Sequence, residues 1–324
     1  MNKKQKVVGV DVSKDTFDVY DGKRSGVFAN TAEGFSQFSG WLEGSVIYCV
    51  MEVTGTYHKL LAAYLYKQGV SISVVNPLII KRYIQMKFHH NKTDKSDAKA
   101  IHSFGVDQPQ AEWKPSSQYI EESKLIYAGI NQYNKQSTAL KNKLHALSSQ
   151  GIKKGPLVRS VVRMLKQLSK EKQALEKELE KQVKANDAES LTNLTSIPGM
   201  GKKTALLLIV SLDGFRDFEN AKQVSSYLGL SPIEHSSGSS VRGRSRISKR
   251  GNPLVRNYLF MCSFTASQNN EACRQLYERI VNKGKSKKLA LIAVCNKLLK
   301  QAFAVTKSGL PYDPNYRSKL QVNY

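Results

Sequence analysis

Two aspartates, Asp94 and Asp97, stand three residues apart in HHNKTDKSDAKAIHSF (His89–Phe104), among Lys92, Lys95 and Lys99. On a helix, positions i and i+3 share a face, and two carboxylates there repel each other unless a cation lies between them. Lysines can serve, and so can a metal ion. Two further acids sit in apolar surroundings: Asp11 within KVVGVDV and Glu52 at the end of SVIYCVME. A carboxylate inside an apolar strand is costly unless it is paired or bound to a metal. Four oxygen donors with no Cys or His suit a hard cation, Mg²⁺ or Mn²⁺. A two-ion site of that kind clamps a phosphodiester during in-line displacement. Alone, an i, i+3 Asp pair is usually a solvated helix face, so the reading depends on whether the fold gathers all four.

The elements that must position these acids fill the first third of the chain. KVVGVDV, TFDVYD and SGVFAN read as three strands, the first two turned by SKD. Thr31 N-caps a helix over TAEGFSQFSGWL. SVIYCVME is a fourth strand, GTYHKLLAAYLYKQG a helix closed by Gly69, and VSISVVN a fifth strand stopped by Pro77. PLIIKRYIQMK is helical, and a polar loop leads into the helix of Asp94 and Asp97. Strand, strand, strand, helix, strand, helix, strand, helix is the order of an RNase H-like fold, in which the first and fourth strands are neighbours. Asp11 and Glu52 then meet at one sheet edge, and the Asp94–Asp97 helix crosses it. Asp94, near a helix N-terminus, is favoured as the anion. Asp15 reads as a turn residue and Asp18 as a solvent-facing residue on an edge hairpin.

The chain has 324 residues, enough for two or three domains of about 100–200 residues. Fifty Lys and Arg against 26 Asp and Glu give a formal charge of +24. That excess calls for a polyanionic partner, with nucleic acid first and an anionic membrane second. No basic amphipathic anchor or long apolar span supports the membrane. MNKKQK followed by VVGVDVSKD is too short and too acidic for a signal peptide. Cys49, Cys262, Cys273 and Cys295 form no CxxC and fit no zinc module, so they read as reduced cytosolic thiols.

From about Ser117 to Asn186 the pattern is helical: two long segments separated by GIKKGP read as a helical hairpin or coiled coil, a spacer or a dimerisation arm. In IPGMGKKTA, Gly199 and Gly201 permit a helix-hairpin-helix turn with Lys202 and Lys203 facing outward at a helix start, where phosphate binds. SPIEHSSGSSVRGRSRISKRGN reads as a polar, strongly basic loop. Its Arg242, Arg244, Arg246, Lys249 and Arg250 suit backbone contacts to DNA or RNA. By composition alone SSGSS is a flexible linker. Helices continue to about residue 309 and give way to a polar, mobile tail. The expected domains are 1–114, 115–188, 189–309 and a tail 310–324.

Taken together, GVDVSKDTFDV, MEVTGTYHKLL, NPLIIKRY, NKTDKSDAKAI, IPGMGKKTA, YLGLSP and SSGSSVRGRSRISKRGN resemble, in order and over nearly the whole chain, the DEDD transposases of bacterial insertion sequences. That family includes Piv-type DNA invertases and bridge-RNA-guided recombinases. The resemblance implies an α/β, RuvC-like (RNase H-like) N-terminal nuclease domain, a coiled-coil middle and a mostly helical C-terminal transposase domain. It implies that Asp11, Glu52, Asp94 and Asp97 form a metal-binding tetrad. It also implies a serine nucleophile in a Ser–Gly motif, best matched by Ser237, with Ser236, Ser239 and Ser240 beside it. The function implied is a cytoplasmic bacterial recombinase that cuts and rejoins donor and target DNA through a phosphoserine link. Its partners would be a guide RNA and further copies of itself in a dimer or tetramer. The competing readings are a RuvC-like hydrolytic nuclease, a Piv-type invertase without guide RNA, and a non-catalytic basic scaffold.

Overall fold

The computed structural model describes residues 6–42, 47–53, 55–87, 94–108, 111–233, 236–237, 241–242 and 246–316; the side chains of 94–96 and 233–245 are outside that description. The chain divides into two compact units, Met1–Pro115 and Ser116–Tyr324.

The first unit carries a five-stranded mixed sheet. Its elements are β1 (Lys6–Val12), β2 (Thr16–Tyr20), β3 (Ser25–Ala29), α1 (Ala32–Trp41), β4 (Ile47–Glu52), α2 (His58–Lys67), β5 (Ser71–Val75), α3 (Pro77–Met86) and α4 (Asp94–Asp107). The strand order is β3-β2-β1-β4-β5. β1 is antiparallel to β2 and parallel to β4, and β4 is parallel to β5. The element order and the β1–β4 adjacency match the sequence reading. Thr31 caps α1 by accepting from the Gly34 N–H, and Asn76 caps α3 with Pro77 in its first turn.

Strand alternation sorts β1 into two faces. Val8, Val10 and Val12 are buried with Phe17, Phe35, Phe38, Leu61 and Leu65, under α1 and α2. Val7 joins Tyr48, Val50, Ile80, Tyr83, Ile101 and Phe104, under α3 and α4. Gly9 belongs to the second face. A Cβ there would lie 2.3 Å from the Ala98 carbonyl oxygen and 2.3 Å from the His102 nitrogen, so only glycine lets α4 lie this close.

The β2–β3 turn is pinned by Asp21, whose side chain is 2% exposed. It accepts from the Lys23 and Arg24 backbone N–H groups and pairs with Lys6 (2.9 Å) and the Arg24 guanidinium (3.0 Å). Arg24 in turn stacks over Trp41 at 4.5 Å. Burial alone would raise the Asp21 carboxyl, but these hydrogen bonds and cations outweigh it and hold the group well below the usual carboxylate range.

The second unit is built on α5 (Gln118–Ser149), α6 (Pro156–Thr195), α7 (Lys202–Leu212), α8 (Ala221–Tyr227), α9 (Pro253–Asn269), α10 (Glu271–Asn282) and α11 (Lys287–Ser308). α5 and α6 form the expected helical hairpin, about 48 and 60 Å long at 1.5 Å per residue. They are not insulated from the C-terminal helices, because Ile130, Leu179 and Val183 share one core with Leu207, Leu259 and Leu298. Near the boundary expected at 188/189, α6 carries a non-helical residue, Asp187 (φ −141°, ψ 40°), and continues beyond it.

Three expectations are corrected here. The basic loop holds four short strands, β6 (Pro232–Ile233), β7 (Ser236–Ser237), β8 (Val241–Arg242) and β9 (Arg246–Ile247), with β6 pairing β9 and β7 pairing β8. The start of the tail is docked: the Tyr312 N–H donates to Ser196 Oγ, and its hydroxyl bonds to Asn270 Oδ1. α11 is long and apolar enough to cross a membrane, unlike anything noted in the sequence, but Val294, Cys295, Leu298, Leu299 and Ala302 bury it in the core. All four cysteines are buried and free, and burial pushes the Cys49 thiol up to about 12.

Gly9→Val should force α4 off the sheet and destabilise the first unit by roughly 1–3 kcal/mol or more, read as an early unfolding transition in a circular dichroism melt. The Asp21 contribution has a defined sign. Its folded pKa is depressed, so its stabilisation is present above the unfolded value of about 4 and is lost as pH falls below that. The stability gap between parent and Asp21→Asn protein should therefore be open at neutral pH and close in acid, as measured by denaturant titration across that range.

Candidate active site

The parallel β1–β4 ladder runs from Lys6↔Ile47 to Val10↔Met51. The next step sets Asp11 beside Glu52. Asp11 shares the face of Val7 and Gly9, and Glu52 shares the face of Tyr48 and Val50, so both carboxylates stand on the side covered by α4. Each is half-buried.

The course of α4 is set by its close approaches. A Cβ on Gly105 would meet Val7 and Val50, and one on Gly9 meets Ala98 and His102. Stepping forward along β1 therefore steps backward along α4, so the two run antiparallel. One further step sets Asp11 against the first turn of α4, the turn that holds Asp94 and Asp97. Asp97 is half-buried beside fully packed Ala98. Asp94 is the first residue of the helix; its side chain lies outside the described set, as do Lys92 and the Lys95 side chain. Lys99 stands over the Tyr20 ring at 5.4 Å, and His102 meets that ring edge-on at 5.1 Å. Burial lowers the His102 pKa, so the neutral imidazole is favoured.

Asp18 was expected to face solvent on an edge hairpin, and the structure corrects this. β2 is interior to the sheet, and Asp18 pairs in register with Asp11. Phe17 and Val19 are buried on the α1–α2 side, which turns half-buried Asp18 toward α4. The alternation of TFDVY carried that signal once β2 was known to be covered on both faces. Asp15 is exposed, and its carbonyl accepts the Asn30 N–H, as a turn residue would. Among the described residues, no group of three or more His, Cys, Asp or Glu could hold a metal ion. Among the described residues the acids at this edge, Asp11, Glu52 and Asp97, offer carboxylate oxygen, the donor type that suits a hard divalent cation.

In the second unit the Ser–Gly motif belongs to a hairpin. Ser236 pairs with Arg242 and Ser237 with Val241. A separate two-stranded ladder pairs Pro232 with Ile247 and Ile233 with Arg246, and next to it the Ser248 N–H donates to the Ser231 carbonyl and the Lys249 N–H to the Gly229 carbonyl. Two glycines clamp the base. Gly229 (φ +69°) would put a Cβ 2.0 Å from the Arg250 carbonyl oxygen, and Gly251 (φ +105°) one 2.0 Å from that of Tyr227. Arg256 adds hydrogen bonds to the Leu228 and Gly251 carbonyls. Arg246, Lys249 and Arg250 are exposed along this base. The side chains of Ser236, Ser237 and Arg242, and residues Ser239, Ser240 and Arg244 altogether, lie outside the described set.

The turn between α6 and α7 is compact because Gly199 (φ +95°) sits 2.6 Å, measured from its would-be Cβ, against Ala266 of α9. Lys202 and Lys203 are exposed at the start of α7, but each is already paired, Lys202 with Glu180 at 3.0 Å and Lys203 with Glu176 at 2.8 Å. The sequence reading had them turned outward for phosphate. The passage of α6 alongside α7 supplies these acids, which the local motif did not reveal.

Two family models match this chain. A transposase model of the IS110 DEDD type covers residues 8–150, and a model described as transposase IS116/IS110/IS902 family covers residues 191–278. A pilin gene-inverting protein of Moraxella bovis is 29% identical over 321 residues, covering 94% of this chain and 97% of its own length. Its counterpart in Moraxella lacunata is equally similar. The transposase for insertion sequence element IS1111A of Coxiella burnetii is 26% identical, covering 89% of this chain and 82% of its own. The first match takes in the sheet edge with Asp11, Glu52 and α4, the second the α7 turn and the Ser–Gly hairpin, and with them the chain belongs to the IS110 family of DEDD transposases.

Proposed function

We propose that this chain cuts and rejoins DNA through a covalent phosphoserine intermediate, with Asp11, Glu52, Asp94 and Asp97 as the acidic centre and Ser237 as the nucleophile. The observation that carries the reading is the common face of Asp11 and Glu52 beneath the first turn of α4. The four carboxylates would hold Mg²⁺ or Mn²⁺, and a divalent cation bound there supplies charge neutralisation to a phosphodiester. The Ser237 hydroxyl attacks phosphorus, loses its proton to solvent or a nearby base, and expels the strand oxygen, which takes up a proton. A phosphoserine ester conserves the bond energy for rejoining, which hydrolysis would discard. Pairing with Val241 gives this serine a strand register rather than a free linker. Arg242, Arg244, Arg246, Lys249 and Arg250, with Lys92, Lys95 and Lys99, would contact nucleic-acid backbone, a term that weakens steeply with salt. Lys202 and Lys203 would join them by exchanging Glu180 and Glu176 for phosphate.

Target choice by a structured guide RNA is part of this proposal, as is assembly into a dimer or tetramer that brings two duplexes together. A second reading, inversion without a guide RNA, is favoured by the near full-length similarity to the pilin gene-inverting proteins. Purified protein incubated with DNA carrying the element's ends distinguishes the chemistries. Ser237→Ala should abolish a denaturation-resistant protein–DNA adduct and all strand exchange, whereas a hydrolase would continue to cut. Asp11→Asn should lower adduct formation by about 10² or more. Mass spectrometry of the trapped adduct assigns the serine: a phosphodiester on Ser236, Ser239 or Ser240 would overturn the choice of Ser237. RNA extracted from the purified complex, present or absent, separates guided recombination from unguided inversion.

A further inference from the structure

A groove of about 560 Å³ lies within the second unit, between α5, α7 and α9. Its walls include Lys124, Asn131 and Lys135 on α5 and Asn252, Pro253 and Asn257 at the start of α9. On α5 these side chains recur at i, i+7 and i+11, one helical stripe.

The charge on these walls is one-sided. From Ser123 to Ser149, α5 carries four lysines and no acid, and α9 carries Arg256 and no acid. The acids of the helical hairpin are concentrated on α6, which bears Glu171, Glu176, Glu178, Glu180, Asp187 and Glu189. Lys124 is paired with Glu121 at 2.8 Å. Lys135 is exposed and has no acidic partner among the described residues, and the Asn131 and Asn257 amides make no hydrogen bond among them. Asn252 uses its Oδ1 to cap α9, which leaves its amide N–H₂ to the groove. A lysine and amide N–H₂ groups that donate to no described residue, on walls that carry no acid, suit a polyanion's oxygens. The groove is also continuous with the hairpin base, since Asn252 directly succeeds Lys249, Arg250 and Gly251.

We infer that this groove seats the sugar–phosphate backbone of a DNA strand, with Lys135 and the amides of Asn131 and Asn257 as its contacts. It extends the hairpin's basic base into a continuous track. This rests on the DNA-acting reading above and adds a site to it. Such contacts position the strand without reading its sequence.

The test uses the full chain and a short fluorescein-labelled DNA duplex of mixed sequence, followed by anisotropy across a salt series. Lys135→Gln should flatten the log–log salt dependence by about 0.9. Asn257→Asp, which keeps the shape but adds a negative charge, should weaken binding by about tenfold. Lys166→Gln, on an exposed face of α6, should change neither. Circular dichroism melts coincident with the parent's show that the surface variants fold. Groove variants that bind DNA with the parent's affinity and slope would overturn the inference, and so would a defect seen only with a labelled RNA of equal length. If Ser237→Ala still cuts DNA while the groove variants lose affinity, the phosphoserine chemistry fails and the groove stands.

Discussion

The approach of α4 to β1 at Gly9 is the constraint on which the arrangement of the first unit depends. A helix lies this close to a strand only where the strand offers no side chain, and a Cβ at this position would collide with backbone rather than with a movable side-chain tip. Gly105 makes the reciprocal approach, from α4 onto Val7 and Val50. Two glycines thus fix both the separation and the direction of the helix relative to the strand. The first turn of α4 consequently reaches the carboxyl end of β1, where Asp11 and Glu52 stand side by side. In an open α/β sheet the crevice beyond the carboxyl ends of parallel strands is the usual place for a ligand, and among the described strands β1, β4 and β5 are the parallel ones.

The second unit solves a different problem, holding long polar helices and an extended hairpin on one apolar core. Asn270, 1% exposed, ties several pieces together: it caps α10, donates to the Pro198 carbonyl in the α6–α7 turn, bonds to Gln301 of α11 and accepts from Tyr312. A buried amide is tolerable because each of its polar atoms has a partner. The ion pairs of Lys202 and Lys203 with α6 are more than half exposed at the lysine and contribute little stability. Such weak, exposed pairs leave both lysines free to exchange partners.

Much of the first unit was legible in its residues, because strand alternation, a Thr cap, an Asn–Pro helix start and a closing glycine are local signals. The adjacency of β1 and β4 came from element order through the fold class. Asp18 was misread for a definable reason: alternation says that it faces away from Phe17 and Val19, but not whether a helix covers that side. Coverage depends on α4, about 80 residues downstream in the chain. The short ladders of the Ser–Gly hairpin were illegible because two-residue strands rich in Ser, Arg and Gly carry no hydrophobic period. Beside β6 and β9, Gly229 and Gly251 meet the backbone of Arg250 and Tyr227, approaches that join residues about 20 positions apart.

The amino-acid sequence by itself determined the positive charge, the types and order of the elements, the identity of the acids and the family motifs, since each is written in composition or in short-range spacing. Only the tertiary structure decided which face Asp18 takes, that the helical hairpin shares its core with the C-terminal helices, that Lys202 and Lys203 are already paired, and that an acid-free groove opens beside the hairpin base. Each of these depends on which distant surfaces come into contact. That is a matter of packing between elements, and no local pattern along the chain encodes it.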